Sequence, residues 1–460
     1  MAGIPSVNWV YANGLGKKHA NDSSLWFIFN SFIIKCTIIG EREPASITDH
    51  DVLTAIEFDK TGDFLSVGDK GGRVIVFKRI KSKKKSRVDD YEYFTEFQSH
   101  EPGFDYLKSA EIEEKINSIC WINNGSSSLQ LLSANDKNIK LWKLFYNKKK
   151  KYESWEKISK GGSIVFPKSE TVEEDWDATC RKEFWNAHNY HINSVSLSAD
   201  GEHFLSADDL RVNIWNIENT KTTFSIVDIK PPNIDDLNEV ITHAEFHPSR
   251  SDVFLFSSSK GLAHLWDARE NTQFEKCATK FEIYIDPAKK HFFSEIISSI
   301  SSATFLPQKD DYFWTRDYLS LKIWDIRNNS KYVKSIQISD YVEKKLCDLY
   351  ENESVFDKFE VNASPCGNYL LTGSYNNNGH VIDVEGTSNS TVEAVFGNKR
   401  GKSSAKTRQY NGKKLHSLGE GTPDLKKKVL LNSWHPIENI IAVANHNCIF
   451  IFNQEKKIKH

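Results

Sequence analysis

The 460-residue chain carries 60 basic against 62 acidic residues, a formal net charge of -2, with 39% hydrophobic and 27% charged side chains. That balance is globular and excludes a dominant electrostatic field for nucleic acid or a membrane surface, leaving only local patches. Aromatics reach 12%, with 12 Trp, which favours β structure because flat rings pack well on pleated surfaces. Seven dispersed Cys, with no CxxC and no zinc-like pairing with His, fit buried free thiols in a reducing compartment and argue against a disulfide framework. The length suggests two to four domains unless the chain is one large repeat architecture.

In chain order, SVNWVYANG (Ser6 to Gly14) has the pattern of a strand. LWFIFNSFIIKCTII (Leu25 to Ile39) is apolar but only 15 residues long and broken by Asn30, Ser31 and Lys35. A membrane span needs about 20 apolar residues. The segment also lies late for a signal peptide, with no clear small-residue cleavage site after it. The chain is expected to be intracellular.

From Val52 onward one pattern recurs seven times: GDKGGRVIVFK, ANDKNIKLWK, ADDLRVNIWN, SSKGLAHLWD, RDYLSLKIWD, NNNGHVIDV and ANHNCIFIFN. Each copy is a polar turn followed by an alternating run ending on Phe77, Trp142, Trp215, Trp266, Trp324, Ile382 or Phe452. Two further strand-like runs precede each copy, as in VLTAIEFDKTGDFLSVGDKGGRVIVF. Period-two alternation bounded by Gly, Asp, Asn and Pro marks strands joined by tight turns. Three such runs plus a weaker outer strand make a four-stranded unit that cannot bury both faces alone. Radial stacking of seven units solves this, so the fold class is all-β, a seven-bladed propeller. The copies lie farther apart than the roughly 40–45 residues of a bare WD-type repeat, so every repeat carries an insertion. The pattern resembles WD-repeat propellers.

In this arrangement Ser6 to Gly14 completes the last blade, and residues 25–39 become a surface insertion. Residues 145–184, centred on SIVFP, form a protruding β-hairpin arm. The basic, polar stretch at 396–428 reads as a mobile loop.

Asp208 and Asp209 fall in the turn between the second and third strands of blade 3. Consecutive residues of an extended chain point to opposite sides, which suits them poorly as a facing acid and base. A turn-forming role and a binding role both remain open. Among enzyme motifs, GxxxxGK[ST], HExxH and GxSxG are missing, and so is a GxGxxG between strand and helix. No catalytic residue, metal or cofactor is expected. His188 and His191 have a spacing metals use but no third ligand nearby in sequence, and read as loop histidines. The basic runs KSKKKSR and NKKKKY read as solvated loop tips, with nuclear targeting or a phosphate-rich partner as the sharper alternatives. SHEPGFDYLKSAEIEEKIN (Ser99 to Asn117) reads as an exposed short helix, or as an acidic docking face built on Glu111, Glu113 and Glu114.

Several long strings go beyond propeller geometry: FQSHEPGFDYLKSAEIEEKIN, YHINSVS, SADDLRVNIW, IVDIKPPNIDDLNEVIT, FFSEIISSIS, TRDYLSLKIWD and KLCDLYENESVFDKFE. With these the chain resembles the B-family, WD-repeat regulatory subunits of protein phosphatase 2A, over about Val52 to Phe452. The resemblance implies a non-catalytic subunit. Its partners would be a helical-repeat scaffold subunit, a Ser/Thr phosphatase catalytic subunit, and phosphoprotein substrates with basic segments, with neither nucleic acid nor membrane involved. It further implies a substrate groove formed by Lys70, Glu111, Glu113, Glu114, Tyr190, His191, Asp208 and Asp209, with Leu237 and Val240 as an apolar docking spot. The scaffold would meet the opposite face and the hairpin arm, where this sequence departs from the family. The 25–39 segment is a second departure, expected to be a lineage-specific insertion or translated intron. Blade 6, lacking its usual aromatic and basic residues, is a third. The rival reading is a propeller adaptor of another complex, such as a ubiquitin-ligase substrate receptor. The cytoplasm is the expected location, with the nucleus also open to it.

Overall fold

The computed structural model describes residues 25–29, 32–39, 48–81, 90–106, 108–122, 128–152, 169–185, 187–267, 269, 279–283, 292–338, 340–385, 388–394, 407–411 and 424–455. Seven antiparallel sheets form the blades. Blade 1 joins Leu53–Phe58, Phe64–Asp69, Arg73–Ile80 and Asp90–Gln98, and blade 2 joins Ser118–Ile122, Leu129–Ala134, Ile139–Tyr152 and Ser169–Phe184. Blade 3 joins Ser194–Leu197, His203–Ala207, Arg211–Asn216 and Thr223–Asp228, while blade 4 runs from Ile241–Phe246 to Thr279–Glu282. Blade 5 runs from Ser302–Phe305 to Lys334–Gln337, blade 6 from Val361–Ala363 outward, and blade 7 is built on Asn432–Trp434, Ile440–Asn445 and Cys448–Glu455.

The innermost strand of each blade packs against the innermost strands of its two neighbours, and Leu53–Phe58 meets Asn432–Trp434 to close the ring. Ile56, Phe58 and Leu65 of blade 1 share one buried cluster with Ile440, Ala442 and Ile451 of blade 7, so the closure is a hydrophobic core rather than a surface contact. Inner strands from all seven blades surround a central cavity of about 380 Å³, into which Glu57, Glu245 and Glu360 contribute. Burial pushes Glu57 and Glu245 up to about 8 and Glu360 to about 7.

The bulky apolar residue that closes each repeat's alternating run, on the third strand, is the blade's anchor. Trp215 and Trp324 are fully buried, and Ile382 fills the same place in blade 6, so the missing aromatic leaves that blade intact. The indole N–H groups of Trp142, Trp215 and Trp324 donate to hydroxyls on the adjacent second strand, Ser133 at 3.1 Å, Ser206 at 2.9 Å and Thr315 at 3.0 Å. Without those hydroxyls the buried indole nitrogens would be costly.

Four expectations change. Leu25–Phe29 and Phe32–Ile39 are not a surface insertion. Phe32–Ile39 pairs antiparallel with Cys448–Glu455, and Leu25–Phe29 adds outside it. The open edge of the last blade offers a row of unpaired backbone groups, and a run rich in β-branched and aromatic residues satisfies them. Residues 6–14 lie outside the described residues. Within the expected loop, Thr407–Asn411 is a fifth strand on blade 6, paired with Ser388–Glu393 for the same reason; residues 396–406 and 412–423 are not among those described. In place of a short helix, Gly103–Asp105 and Ala110–Ile112 form a small hairpin. The fourth change concerns Asp208, which the site places in the interior.

The arm grows from blade 2. Its third and fourth strands, Ile139–Tyr152 and Ser169–Phe184, have 14 and 16 residues against 6 for the second strand. At about 3.3 Å per residue the pair reaches well past the rest of the sheet. The SIVFP tip lies outside the described residues.

Candidate functional site

Antiparallel connectivity sorts the loops between two faces. In each blade the start of the first strand, the turn between the second and third strands, and the end of the fourth strand share one face, here the upper face. The turn between the third and fourth strands falls on the other. Lys70 and the Asp208–Asp209 pair lie in second-to-third turns. Glu111, Glu113, Glu114, Tyr190, His191, Leu237 and Val240 lie on connections between blades. All ten candidates therefore belong to the upper face, while the arm projects from the lower one.

The upper turns share one device. Asp69 accepts from the Arg73 backbone N–H at 2.9 Å, and Asn135 Oδ1 accepts from Lys137 and Asn138 at 3.0 and 2.8 Å. Asp208 Oδ1 accepts from Leu210 and Arg211 at 2.8 and 2.7 Å, and Asp317 Oδ1 from Leu319 and Ser320 at 3.0 and 2.6 Å. The first residue of the turn is thus an internal cap, as short acidic and amide side chains provide.

In blade 3 this cap extends into a chain of hydrogen bonds. Asp208 Oδ2 lies 2.9 Å from His188 Nδ1, His188 Nε2 lies 2.6 Å from Ser206 Oγ, and Ser206 accepts from Trp215. The network assigns the His188 proton to Nδ1. Burial alone would raise the Asp208 carboxyl, but the hydrogen bond from His188 and those from the two amides together hold it below the ordinary carboxylate value. Asp208 has no exposed surface. It is a blade-fastening residue and presents nothing to a groove, which corrects the sequence expectation. His188 is a loop histidine, on the connection from blade 2 to blade 3, and it is buried as the partner of Asp208. His191, three residues on, points outward to Asp136 at 3.0 Å, so the two histidines do not share a metal site. Among the described residues no group of three His, Cys, Asp or Glu could hold a metal ion.

Asp209 is half-buried on the upper face, and its carbonyl accepts from Ile241 N–H at 2.7 Å. That bond sets it beside Val240, whose own N–H donates to Ser259 Oγ at 3.1 Å. Leu237 follows the 3₁₀ turn Ile234–Asp236, and both Leu237 and Val240 are half-buried. Burial raises the Asp209 carboxyl. Lys358 and His191 offset part of that rise, while Asp208 and Asp136 add to it. Lys358, from the connection into blade 6, is itself held below the ordinary lysine value by burial, with Asp209 opposing that shift and Lys115 adding to it.

The acidic run lies one blade earlier. Glu111 and Glu113 are exposed, and Glu114 meets His50 at 3.3 Å. Gly72 sets this close approach. Its φ is +81°, and a Cβ there would fall 2.3 Å from the His100 carbonyl and 2.8 Å from that of Glu114. Lys70 sits on the same turn, its N–H bonded to Val52 O at 2.8 Å. The ring of Tyr190 lies under the Lys108 ammonium at 4.9 Å.

Sequence reasoning missed Asp136, Lys358, Lys108 and Lys137. Asp136 could have been found, since it occupies in ANDKN the place Asp209 occupies in ADDL. Lys358 carries no local signal. A second apolar patch on the same face was also missed: Phe292, Phe293, Tyr350 and Phe356 stack with ring centroids 5.1 to 6.2 Å apart, Phe292 and Phe356 being 71% and 58% exposed. Exposed apolar area on this scale marks an interaction surface.

A seven-bladed disc with a mixed acidic and apolar upper face, and with no metal cluster among its described residues, is a WD-repeat binding module. The WD domain, G-beta repeat family matches residues 108–143 and 178–216. The chain is 43% identical over 466 residues to the serine/threonine-protein phosphatase 2A regulatory subunit phr2AB of Dictyostelium discoideum, covering 90% of this chain and 96% of that one. It is 43% identical to the B beta isoform of the phosphatase 2A 55 kDa regulatory subunit from Carassius auratus (90% and 96% covered) and 41% identical to the B gamma isoform from Macaca fascicularis (92% and 98%). The chain belongs to the family of 55 kDa B-type regulatory subunits of serine/threonine-protein phosphatase 2A.

Proposed function

We propose that the chain is the regulatory subunit of a phosphatase 2A heterotrimer, held to a helical-repeat scaffold and a catalytic subunit. Its upper face recruits phosphoproteins through basic segments. The observation that carries this reading is the position of Asp209: half-buried, flanked by Asp136, and backbone-bonded beside the apolar pair Leu237 and Val240. A Lys or Arg approaching to about 4 Å gains a Coulomb attraction of order 4 kcal/mol at an effective dielectric of 20, most of it spent on desolvation and ordering. The exposed Glu111 and Glu113 steer encounter over longer distances. The arm and the lower face are left for the scaffold, so a bound substrate and the holoenzyme core do not compete for one surface.

Affinity capture of the tagged chain from cell extract tests the assembly. Recovery of an okadaic-acid-sensitive phosphatase and a helical-repeat protein is expected, with loss of both when the arm beyond Leu144 is shortened. Recovery of ubiquitin-ligase components instead would reject the reading. The cytoplasm, with access to the nucleus, is the proposed location, and imaging of the tagged chain checks it.

A further inference from the structure

Beside the acidic site the upper face carries an opposite feature. Lys108, on the turn of the small hairpin, and Lys137, in the upper turn of blade 2, both donate their ammonium groups to one oxygen, the Asn189 carbonyl, Lys137 at 2.8 Å. Two ammonium groups within reach of a single oxygen repel each other. Two described carboxylates act on them: Asp105, 3.6 Å from Lys137, and the buried Asp208, which is already bonded to His188 and to the Leu210 and Arg211 amides. Burial and the neighbouring Lys137 lower the Lys108 pKa, as expected of a crowded cation. Asn189 immediately precedes Tyr190 and His191, and the exposed rings of Phe104 and Tyr106 flank the hairpin. The pair is therefore an incompletely neutralised positive spot adjoining a negative one.

Resting on the proposed substrate face, we infer that Lys108 and Lys137 form an anion subsite that receives a phosphorylated serine or threonine of the bound phosphoprotein while a basic residue of the same segment engages Asp209. A phosphate supplies several acceptor oxygens, enough for both ammonium groups at once, where the Asn189 carbonyl supplies one. The face then selects segments of mixed charge in one orientation, and a phosphate held here is a docking phosphate, distinct from the one removed.

The test uses the isolated full chain, which lacks the catalytic subunit and leaves the phosphate intact. Fluorescent peptides carry an Arg pair and one phosphothreonine at increasing separations, with threonine and aspartate counterparts, and binding is followed by anisotropy. One spacing is expected to bind about fivefold tighter when phosphorylated, the scale of an exposed charge pair, with aspartate intermediate. The double variant Lys108→Gln, Lys137→Gln should abolish that ratio, and the exposed Lys108→Gln alone should halve it, which decides the matter if the double variant does not fold. Asp209→Lys should weaken phosphorylated and unphosphorylated peptides alike and keep the ratio. If no spacing shows a phosphate advantage, or the advantage survives in both lysine variants, the subsite is refuted. A phosphate advantage that persists while Asp209→Lys changes nothing would instead refute the acidic site and leave the lysine pair standing.

Discussion

Replacing Asp208 with alanine removes a carboxylate that has no exposed surface and three described partners. The bond to His188 at 2.9 Å is charge-assisted and worth about 1.5–3 kcal/mol. The Leu210 and Arg211 amides, at 2.8 and 2.7 Å, lose their acceptor inside the turn, as does the buried His188 imidazole. Breaking a buried charged network by deleting one partner costs about 3–5 kcal/mol in total. Asp208→Asn keeps an acceptor for the turn but loses the charge, and should cost roughly half as much. Asp209→Ala, one residue away on the open side, should cost about 0.5 kcal/mol or less. Urea unfolding of the three variants, followed by tryptophan fluorescence, measures the order. If Asp208→Ala unfolds at the wild-type midpoint, or if Asp209→Ala is the more damaging change, the division of the pair into an inner fastener and an outer contact is wrong.

Other outcomes follow from the packing. Trp215→Ala should destabilise by about 3–5 kcal/mol, since the ring is buried and its N–H is bonded to Ser206, and the same urea titration reads it. Gly72→Ala should lower the thermal midpoint and disturb the Glu114 connection, because its positive φ and the His100 carbonyl leave no place for a Cβ; wild-type behaviour would contradict that geometry. Glu57, Glu245 and Glu360 have folded-state values raised above the usual 4.5. The folded state therefore holds more protons than the unfolded one, and stability should fall as pH rises from about 4.5 through about 8. Melting scans from pH 5 to pH 9 check the sign, and Glu245→Gln should flatten the slope. Deleting residues 25–39 should expose the backbone amides of Cys448–Glu455 to rapid hydrogen exchange, whereas unchanged protection would show that the pairing does not close the last blade.

The blades were legible because a two-residue alternation and a turn are local signals, repeated seven times from GDKGG to ANHN. The division of labour within Asp208–Asp209 was not. The period predicts that the two side chains diverge, but which one enters the interior depends on His188, which the chain brings back from the preceding connection. Lys358 was invisible for a related reason: its charge acts on Asp209 only because ring closure places blade 6 across the disc from blade 3. The fate of residues 25–39 and 407–411 turned on sheet edges, whose need for a partner is read from backbone groups and not from the segment itself. The hairpin at 103–112 was hidden by its charges, since Glu-rich stretches favour helix by composition. Here a register pairing Phe104 with Glu111 prevails.

The most direct measurement is the kcat/KM of the reconstituted heterotrimer on phosphopeptides that differ only in a flanking Lys/Arg run, compared between wild type and Asp209→Lys. Wild type should prefer the basic peptides by about tenfold or more, Asp209→Lys should erase most of that preference, and neutral peptides and scaffold binding should be unaffected. An unchanged preference in Asp209→Lys, with the trimer intact, would contradict it.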